Sequence, residues 1–366
     1  MIIHITPFYA PNIGGVETYL SDLIDISNKN KIKNIVITYS PLSTNAKAPF
    51  HVKSKHNEIF RFPHIGFNLF HKLEKFPLLN FIYLTPYLLI ASIVICYKYR
   101  HQKHVIHAHG LNSAIIGYIL KLIYKWPLII NIYSTYDNVS FSSLFFKTIK
   151  YVLNCADHVL TQSNQSIQQL IVWGINPKII GRYYHWIDLN RFKPATRKPN
   201  RQTNFLFVGR LIPQKGVNLV VKLAKIFPQY QFNIVGTGPQ YSQLQKLVQS
   251  NLKLLGDISY QKLHLIYQSN DVFLFPSLYA EGWGRTAMEA IACGLPVLGS
   301  NRGAIPENLD STVSILFPPT LSNFKKNITK ITKLKNNCHS YAKKHFSKSN
   351  FNNLQKIYSS YQTAEF

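Results

Sequence analysis

Short apolar runs alternate with helical stretches along almost the whole chain, and this alternation constrains the fold more than any other feature. IIHIT leads into the helical pattern GGVETYLSDLIDIS and then into NIVITYS. HVIHAHG, PLIINIYS, DHVLTQS and KIIGRYYHW follow, with helical segments between most of them. After a polar, proline-containing stretch, DLNRFKPATRKPNRQTN, the alternation restarts: FLFVGR, QFNIVG, LKLLG, DVFLFPS, PVLGS, VSILFP. Strands that read as unbroken apolar runs belong to parallel sheets covered on both faces. Two such series predict two doubly wound α/β domains, over residues 1–188 and 204–346, with a linker at 189–203. Ligands of such sheets bind beyond the carboxyl ends of the strands, so the loops that follow strands are where chemistry is expected.

The formal charge is +26, from 41 bases against 15 acids. That balance suits a polyanionic partner: nucleic acid, anionic lipid or a phosphorylated substrate. Four cysteines, Cys96, Cys155, Cys293 and Cys338, are widely spaced with no C-x-x-C, which excludes a zinc ribbon or disulfide scaffold and fits a reducing cytosol. MIIHITPFYAPNIGG has no basic leader, so a signal peptide is not expected. Residues 59–104 interleave aromatics with bases, and Phe81–Tyr97 carries no charge, with Pro86 inside it. Two readings stay open: a buried crossover helix before HVIHAHG, or an apolar surface with basic flanks resting on a bilayer.

Among the loops, EGWGRTAMEAIACGLPV holds Glu281 and Glu289 eight positions apart around a glycine-rich turn with Arg285. Thr286 and Glu289 match a capping box, which would make Glu289 a helix-end residue only. Glu281 lies in the loop proper, where a carboxylate can accept hydrogen bonds from sugar hydroxyls. Gly282 and Gly284 would let backbone amides approach a ligand, and the helix start favours an anion. In VGRLIPQKG, Arg210 and Lys215 stand at the carboxyl end of a strand, where a fork and a point charge could neutralise a diphosphate. Gly236 and Gly238 of IVGTGPQ, and Gly14 and Gly15 of NIGGVET, fit no dinucleotide fingerprint, because Tyr241 stands where the third glycine is needed and the second strand ends in Tyr39–Ser40 rather than an acid. His107 and His109 share one side of a strand. No further ligand cluster is visible beside them, so a metal is not expected; a strand-end histidine facing a cleft and a core histidine with a partner both remain open. No D-x-D occurs, so fixed bases would have to neutralise a diphosphate without a cation.

GGVET, FVGRLIPQKGV, IVGTGPQ, LGDISYQKLHLIYQSNDVFLFPSLYAEGWGRTAMEAIACGLPVLGS and RGAIPE together resemble glycosyltransferase family 4. The resemblance is dense from about 204 to 307 and sparser but ordered before it. It implies the GT-B architecture, two Rossmann-like domains facing a cleft, with the last helix (347–364) returning to the first domain. By matched position it implies that Glu281 holds donor-sugar hydroxyls and Glu289 the ribose. Arg210 and Lys215 would take the diphosphate, with the Gly15 amide approaching the phosphates beside Gly14. His109 would stand near the reacting sugar, and Gly282, Trp283, Gly284 and Arg285 would line it, with Asp257 and Ile258 framing the base. Trp283 replaces a more usual Phe, and YYHWIDLNRFKP departs from the family's PNGVD-like turn.

The activity this implies is retaining, metal-independent transfer of a hexose from a nucleotide sugar to a glycan or lipid-linked acceptor. No cofactor is expected beyond that donor. An envelope polysaccharide or glycolipid is the expected product class, made in the cytoplasm, peripheral at the inner membrane face. The rival readings are a basic nucleic-acid-binding protein, for which no RRM, KH or zinc-finger signature is present, and a GT-B sugar-nucleotide epimerase.

Overall fold

Residues 1–42, 44, 46–66, 69, 73, 76–133, 143–196, 202–331, 334 and 337–363 are described by the computed structural model, the side chains of 77, 362 and 363 excepted. The apolar runs form strands whose residues are buried on both faces, as in β1 (Ile2–Ile5) and β2 (Asn34–Tyr39), separated by α1 (Gly15–Lys29). There follow β3 (His51–Lys53), β4 (Asn57–Phe62), α2 (Pro77–Leu84) and α3 (Pro86–Lys98). Each of these helices starts at a proline, which suits a first helical turn because that turn needs no amide donor. Next come β5 (Val105–His109), α4 (Leu111–Tyr124), β6 (Leu128–Asn131), α5 (Leu144–Asn154), β7 (His158–Thr161), α6 (Asn164–Val172) and β8 (Ile180–Arg182).

The second series runs β9 (Asn204–Val208), α7 (Val217–Ile226), β10 (Gln231–Val235), α8 (Tyr241–Gln245), β11 (Leu252–Gly256), α9 (Tyr260–Gln268) and β12 (Val272–Phe275). It closes with α10 (Arg285–Ala292), β13 (Val297–Ser300), α11 (Ile305–Asn308), β14 (Ser314–Phe317), α12 (Leu321–Asn327) and α13 (Cys338–His345). The last helix is α14 (Phe351–Thr363). The chain divides into two units, Met1–Tyr184 with Phe351–Phe366, and His185–Asn350.

In the first unit the strands order as β3-β4-β2-β1-β5-β6-β7-β8, parallel except for the β3–β4 pair. In the second the order is β11-β10-β9-β12-β13-β14, all parallel. Both sheets therefore reverse their winding direction once, between β1 and β5 and between β9 and β12. The two loops that leave such a switch point diverge to opposite faces, and the crevice between them is the natural ligand site.

Helix α14 belongs to the first unit, and it buries Phe351, Leu354 and Tyr358 at 1% exposure or less. The Tyr358 hydroxyl pairs with His107 Nδ1 on β5 at 2.6 Å. Tyr358→Ala is expected to cost about 3–5 kcal/mol, the usual range for emptying an aromatic core site, read as a lower urea midpoint. An unchanged midpoint would mean that α14 does not anchor there.

Candidate active site

At the first switch point, parallel pairing sets His4 of β1 opposite His107 of β5. His109 lies two residues on, on the same side of the sheet. Three imidazoles thus gather, with one ring nitrogen of each within 4.8 Å of the others. The absence of further histidines expected around H-x-H does not hold, because the third comes from a neighbouring strand more than a hundred residues upstream.

The hydrogen bonds fix the tautomers. Asn34 Nδ2 donates to the Ile32 carbonyl at 2.9 Å, so its Oδ1 is the atom left for His4 Nε2, 3.2 Å away. His4 therefore carries its proton on Nε2 and accepts at Nδ1 from His109 Nε2 at 3.0 Å. His109 Nδ1 must then accept, and the Tyr133 hydroxyl donates to it at 2.5 Å. Burial holds His4 and His109 well below the usual histidine range, with His107 adding to the effect, and pushes His107 down to about 4. All three rings are neutral at pH 7, the state in which imidazole can ligate a metal. His109, 3% exposed, is a core histidine with partners on both nitrogens in this state. In the same unit, Gly14 caps α1 and Gly15 is its first residue, with open space beside its Cα.

At the second switch point, β9 leads to Lys215 and β12 leads to Glu281. The β9 loop closes with Gly216 in the left-handed region (φ 68°), where a Cβ would sit 2.1 Å from the Pro276 carbonyl oxygen. Only glycine lets the two loops pack this closely. The Leu278 amide bonds the Gln214 carbonyl at 2.7 Å, which ties them together. Gly303 (φ 66°) meets the other side, its absent Cβ leaving room for the Glu281 backbone at 2.3 Å, and the Ala304 amide donates to the Glu281 carbonyl at 2.8 Å.

Held in this way, the Glu281 carboxylate receives three donors. Lys215 Nζ and Ser277 Oγ each reach Oε1 at 2.7 Å, and the Tyr279 hydroxyl reaches Oε2 at 2.9 Å. A carboxylate has roughly four acceptor positions, so one remains for a ligand hydroxyl. Burial opposes the Lys215 charge, but Glu281 and Tyr279 outweigh it and hold the ammonium above its ordinary pKa. Its Nζ also lies 5.1 Å from the Tyr279 ring centre.

A second acid–base pair sits on α10. Arg285 Nε donates to Glu289 Oε1 at 3.0 Å and its Nη2 reaches the Tyr260 hydroxyl at 2.7 Å; the Tyr267 hydroxyl donates to Glu289 Oε2 at 3.1 Å. The capping box does not form. Helix α10 starts at Arg285 with Gly284 as its cap and no side-chain cap bond, so Thr286 lies two residues past the cap position. Trp283 is buried against His185 and Phe346, with ring centres 5.0 and 6.1 Å away, and its indole N–H has no partner among the described residues. Gly282 is half-buried, Arg210 and Asp257 are exposed, and Ile258 packs against the core of its unit. Arg210 and Asp257 make no ion pair among the described residues. Lys215 with Glu281, and Arg285 with Glu289, are thus in direct contact within the second unit, while Gly14, Gly15 and His109 lie in the first.

Two family models match the chain: "Glycosyltransferase Family 4" over residues 13–191 and "Glycosyl transferases group 1" over 188–347. The chain is a glycosyltransferase of the family 4 type. A human phosphatidylinositol N-acetylglucosaminyltransferase subunit is 24% identical over 348 residues, covering 90% of this chain and 68% of that one. The yeast GPI3 subunit of the same transferase is 24% identical over 332 residues, covering 84% and 69%. Among solved structures, sucrose-phosphate synthase from Thermosynechococcus elongatus matches with TM-score 0.78 at 21% identity, over 100% of this chain and 99% of that one. Anabaena HepE in complex with UDP-glucose matches at 0.73 and 19% identity, over 98% and 99%. These likenesses establish the GT-B fold.

The glycosyltransferase carries side chains in these clusters that motif reading passed over. Ser277 and Tyr279 precede Glu281 at alternate positions in PSLYAEG, and Tyr260 and Tyr267 stand two turns apart on one face of α9, a spacing that could have flagged them. His4 lies inside IIHIT, visible only once β1 is set beside β5.

The buried histidines generate a pH dependence. Their folded pKa values lie below those of the unfolded chain. The stability they confer is complete above about pH 6.5 and is lost as pH falls from there towards about 4, at up to about 1.4 kcal/mol per pH unit for each ring. The melting temperature is expected to fall steadily between pH 7 and 5 by calorimetry; a flat profile would contradict the neutral cluster.

Proposed function

We propose that this glycosyltransferase moves a hexose from a nucleoside-diphosphate sugar to an acceptor hydroxyl with retention of configuration and without a metal ion, in the cytoplasm, towards an envelope polysaccharide or glycolipid. The observation that carries this reading is the Lys215–Glu281 contact at the second switch point, 2.7 Å long and held by two loops on rigid strands. It sets a cation suited to a diphosphate against an acid with one acceptor position left for a sugar hydroxyl. Arg210, exposed at the end of β9, would supply the second charge, and the start of α10 a dipole of the right sign. Glu289 would take the ribose, with Tyr267 and Arg285 fixing its carboxylate. Gly282, Trp283 and Gly284 would offer backbone amides to the sugar, and Asp257 and Ile258 would border the base. A UDP-sugar is the first donor to test, since a structural neighbour is known with UDP-glucose.

In the step itself the bond from the anomeric carbon to the diphosphate oxygen breaks while the acceptor oxygen attacks the same face. The acceptor proton passes to the departing phosphate. Charge grows on the diphosphate, and bases fixed in advance lower that barrier because they need not reorganise. Gly15 at the start of α1 would approach the phosphates. For His109 the support for a role at the sugar is the family resemblance, since both its ring nitrogens are engaged in this state.

Glu281→Ala and Lys215→Ala are each expected to lower turnover at least tenfold, about 1.4 kcal/mol or more, in a transfer or donor-hydrolysis assay. Full activity in both would discard the assignment. Activity should also persist in excess EDTA. Loss in the chelator and recovery with a divalent ion would point instead to a metal, for which His4, His107 and His109 are the grouped ligands among the described residues.

A further inference from the structure

Among the described residues, the helices beside β5, β6 and β7 leave an apolar face without a cover. Helix α3 buries Leu88, Ala91 and Ile95 on one side and exposes Ile90, Val94 and Tyr97 on the other, each set at helical spacing. An ordinary amphipathic helix would put polar residues there. Helix α2 continues the face with Leu78 and Ile82, both more than half exposed. Helix α4, tied to α3 where the Tyr124 hydroxyl meets the Ile93 carbonyl at 3.0 Å, adds Leu122 and Ile123 at its end. Helix α5, whose Tyr151 meets Tyr118 of α4 at 3.3 Å, adds Leu144 at 80% exposure. Four adjacent helices thus form one strip, far beyond the scattered apolar residues of an ordinary surface.

Charge decides what covers it. Phe76–Tyr133 and Ser143–Ala156 contain no acid. Exposed Lys98, Arg100, Lys103 and Lys125 stand at the carboxyl-terminal ends of α3 and α4, with Lys147 and Lys150 on α5. Arg100 lies over the Tyr97 ring at 3.7 Å, so an aromatic and a base share one edge of the strip. Among the described residues the acids nearest these helices are already matched, Glu58 by His51 and Tyr99, and Asp157 by Lys121 at 2.6 Å. A second copy of the chain would set bases against bases. We propose that this face docks on an anionic lipid bilayer, its apolar side chains in the acyl boundary and its bases against the headgroups.

Leu78–Lys98 is long and apolar enough to cross a bilayer by length and composition. The buried side of α3 packs on the sheet, so the strip lies on the membrane instead. Its other end meets the carboxyl edge of β5: Asn112, three residues after His109, donates to the Thr85 hydroxyl at the start of α3 at 3.4 Å. A bilayer on this face therefore borders the carboxyl edge of β5, where a membrane-anchored acceptor would arrive. That last step rests on the transferase reading; the docking does not.

The full chain should co-sediment with vesicles of phosphatidylcholine and phosphatidylglycerol in low salt, release by at least roughly tenfold in high salt, and leave the pellet in alkaline carbonate. The surface double variant Ile90→Asp with Val94→Asp, which touches no proposed donor residue, should bind at least about tenfold less while hydrolysing a soluble sugar nucleotide at the wild-type rate. Three results would overturn the proposal: no binding to anionic vesicles, equal binding by the double variant, or a salt-stable dimer that the double variant dissolves. Retention after carbonate would replace docking by insertion. Failure of donor hydrolysis in both proteins, with vesicle binding intact, would sink the transferase chemistry and leave the docking standing.

Discussion

The contact between Lys215 and Glu281 is the constraint on which the second unit's site depends. Two charged groups, 19% and 8% exposed, can be held that deep only if each is matched, because an unpartnered charge in such a place is strongly unfavourable. Ser277 and Tyr279 complete the match on the acid. Gly216 and Gly303 let backbone close in on both sides, so the carboxylate is fixed before a ligand arrives. Preorganisation of this kind is what a site needs when its task is to receive charge growing on a leaving group. The Arg285–Glu289 pair on α10 repeats the device one helix further on.

The location follows from sheet topology. β9 and β12 are hydrogen-bonded parallel neighbours at the point where the winding of the sheet reverses, so the loops that follow them, Lys215's and Glu281's, meet at the carboxyl edge of the sheet where such folds take ligands. The first unit has the same arrangement at β1 and β5, where the hydrogen-bonded chain Tyr133–His109–His4–Asn34 runs along the sheet. Those imidazoles are neutral because they are buried, and their proton positions follow from one amide orientation.

Much of this was legible in the chain. The two series of apolar runs give both sheets, and Arg210, Lys215, Glu281 and Glu289 stand out because each sits in a short local motif. What pairs with what was not legible. Lys215 and Glu281 are 66 positions apart, and only strand order shows that their loops touch. The capping box at Thr286 misled because α10 begins at Arg285, one residue before it. His4 escaped because H-x-H on β5 reveals two ligands and conceals a third on another strand. The stretch around Phe81–Tyr97 left a buried crossover helix and a bilayer-facing surface both open, since an all-apolar helix has no polar face to orient it. In the fold α3 buries one side and exposes the other.

The most direct test of the central claim separates the two halves of the contact. Thermal protection by a bare nucleoside diphosphate and by the matching sugar nucleotide would be measured on wild type, Lys215→Met and Glu281→Gln. If Lys215 holds the diphosphate and Glu281 the sugar, the lysine variant loses protection by both ligands. The glutamate variant then keeps protection by the diphosphate and loses only the extra margin that the sugar adds. Protection by both ligands unchanged in both variants would contradict the account.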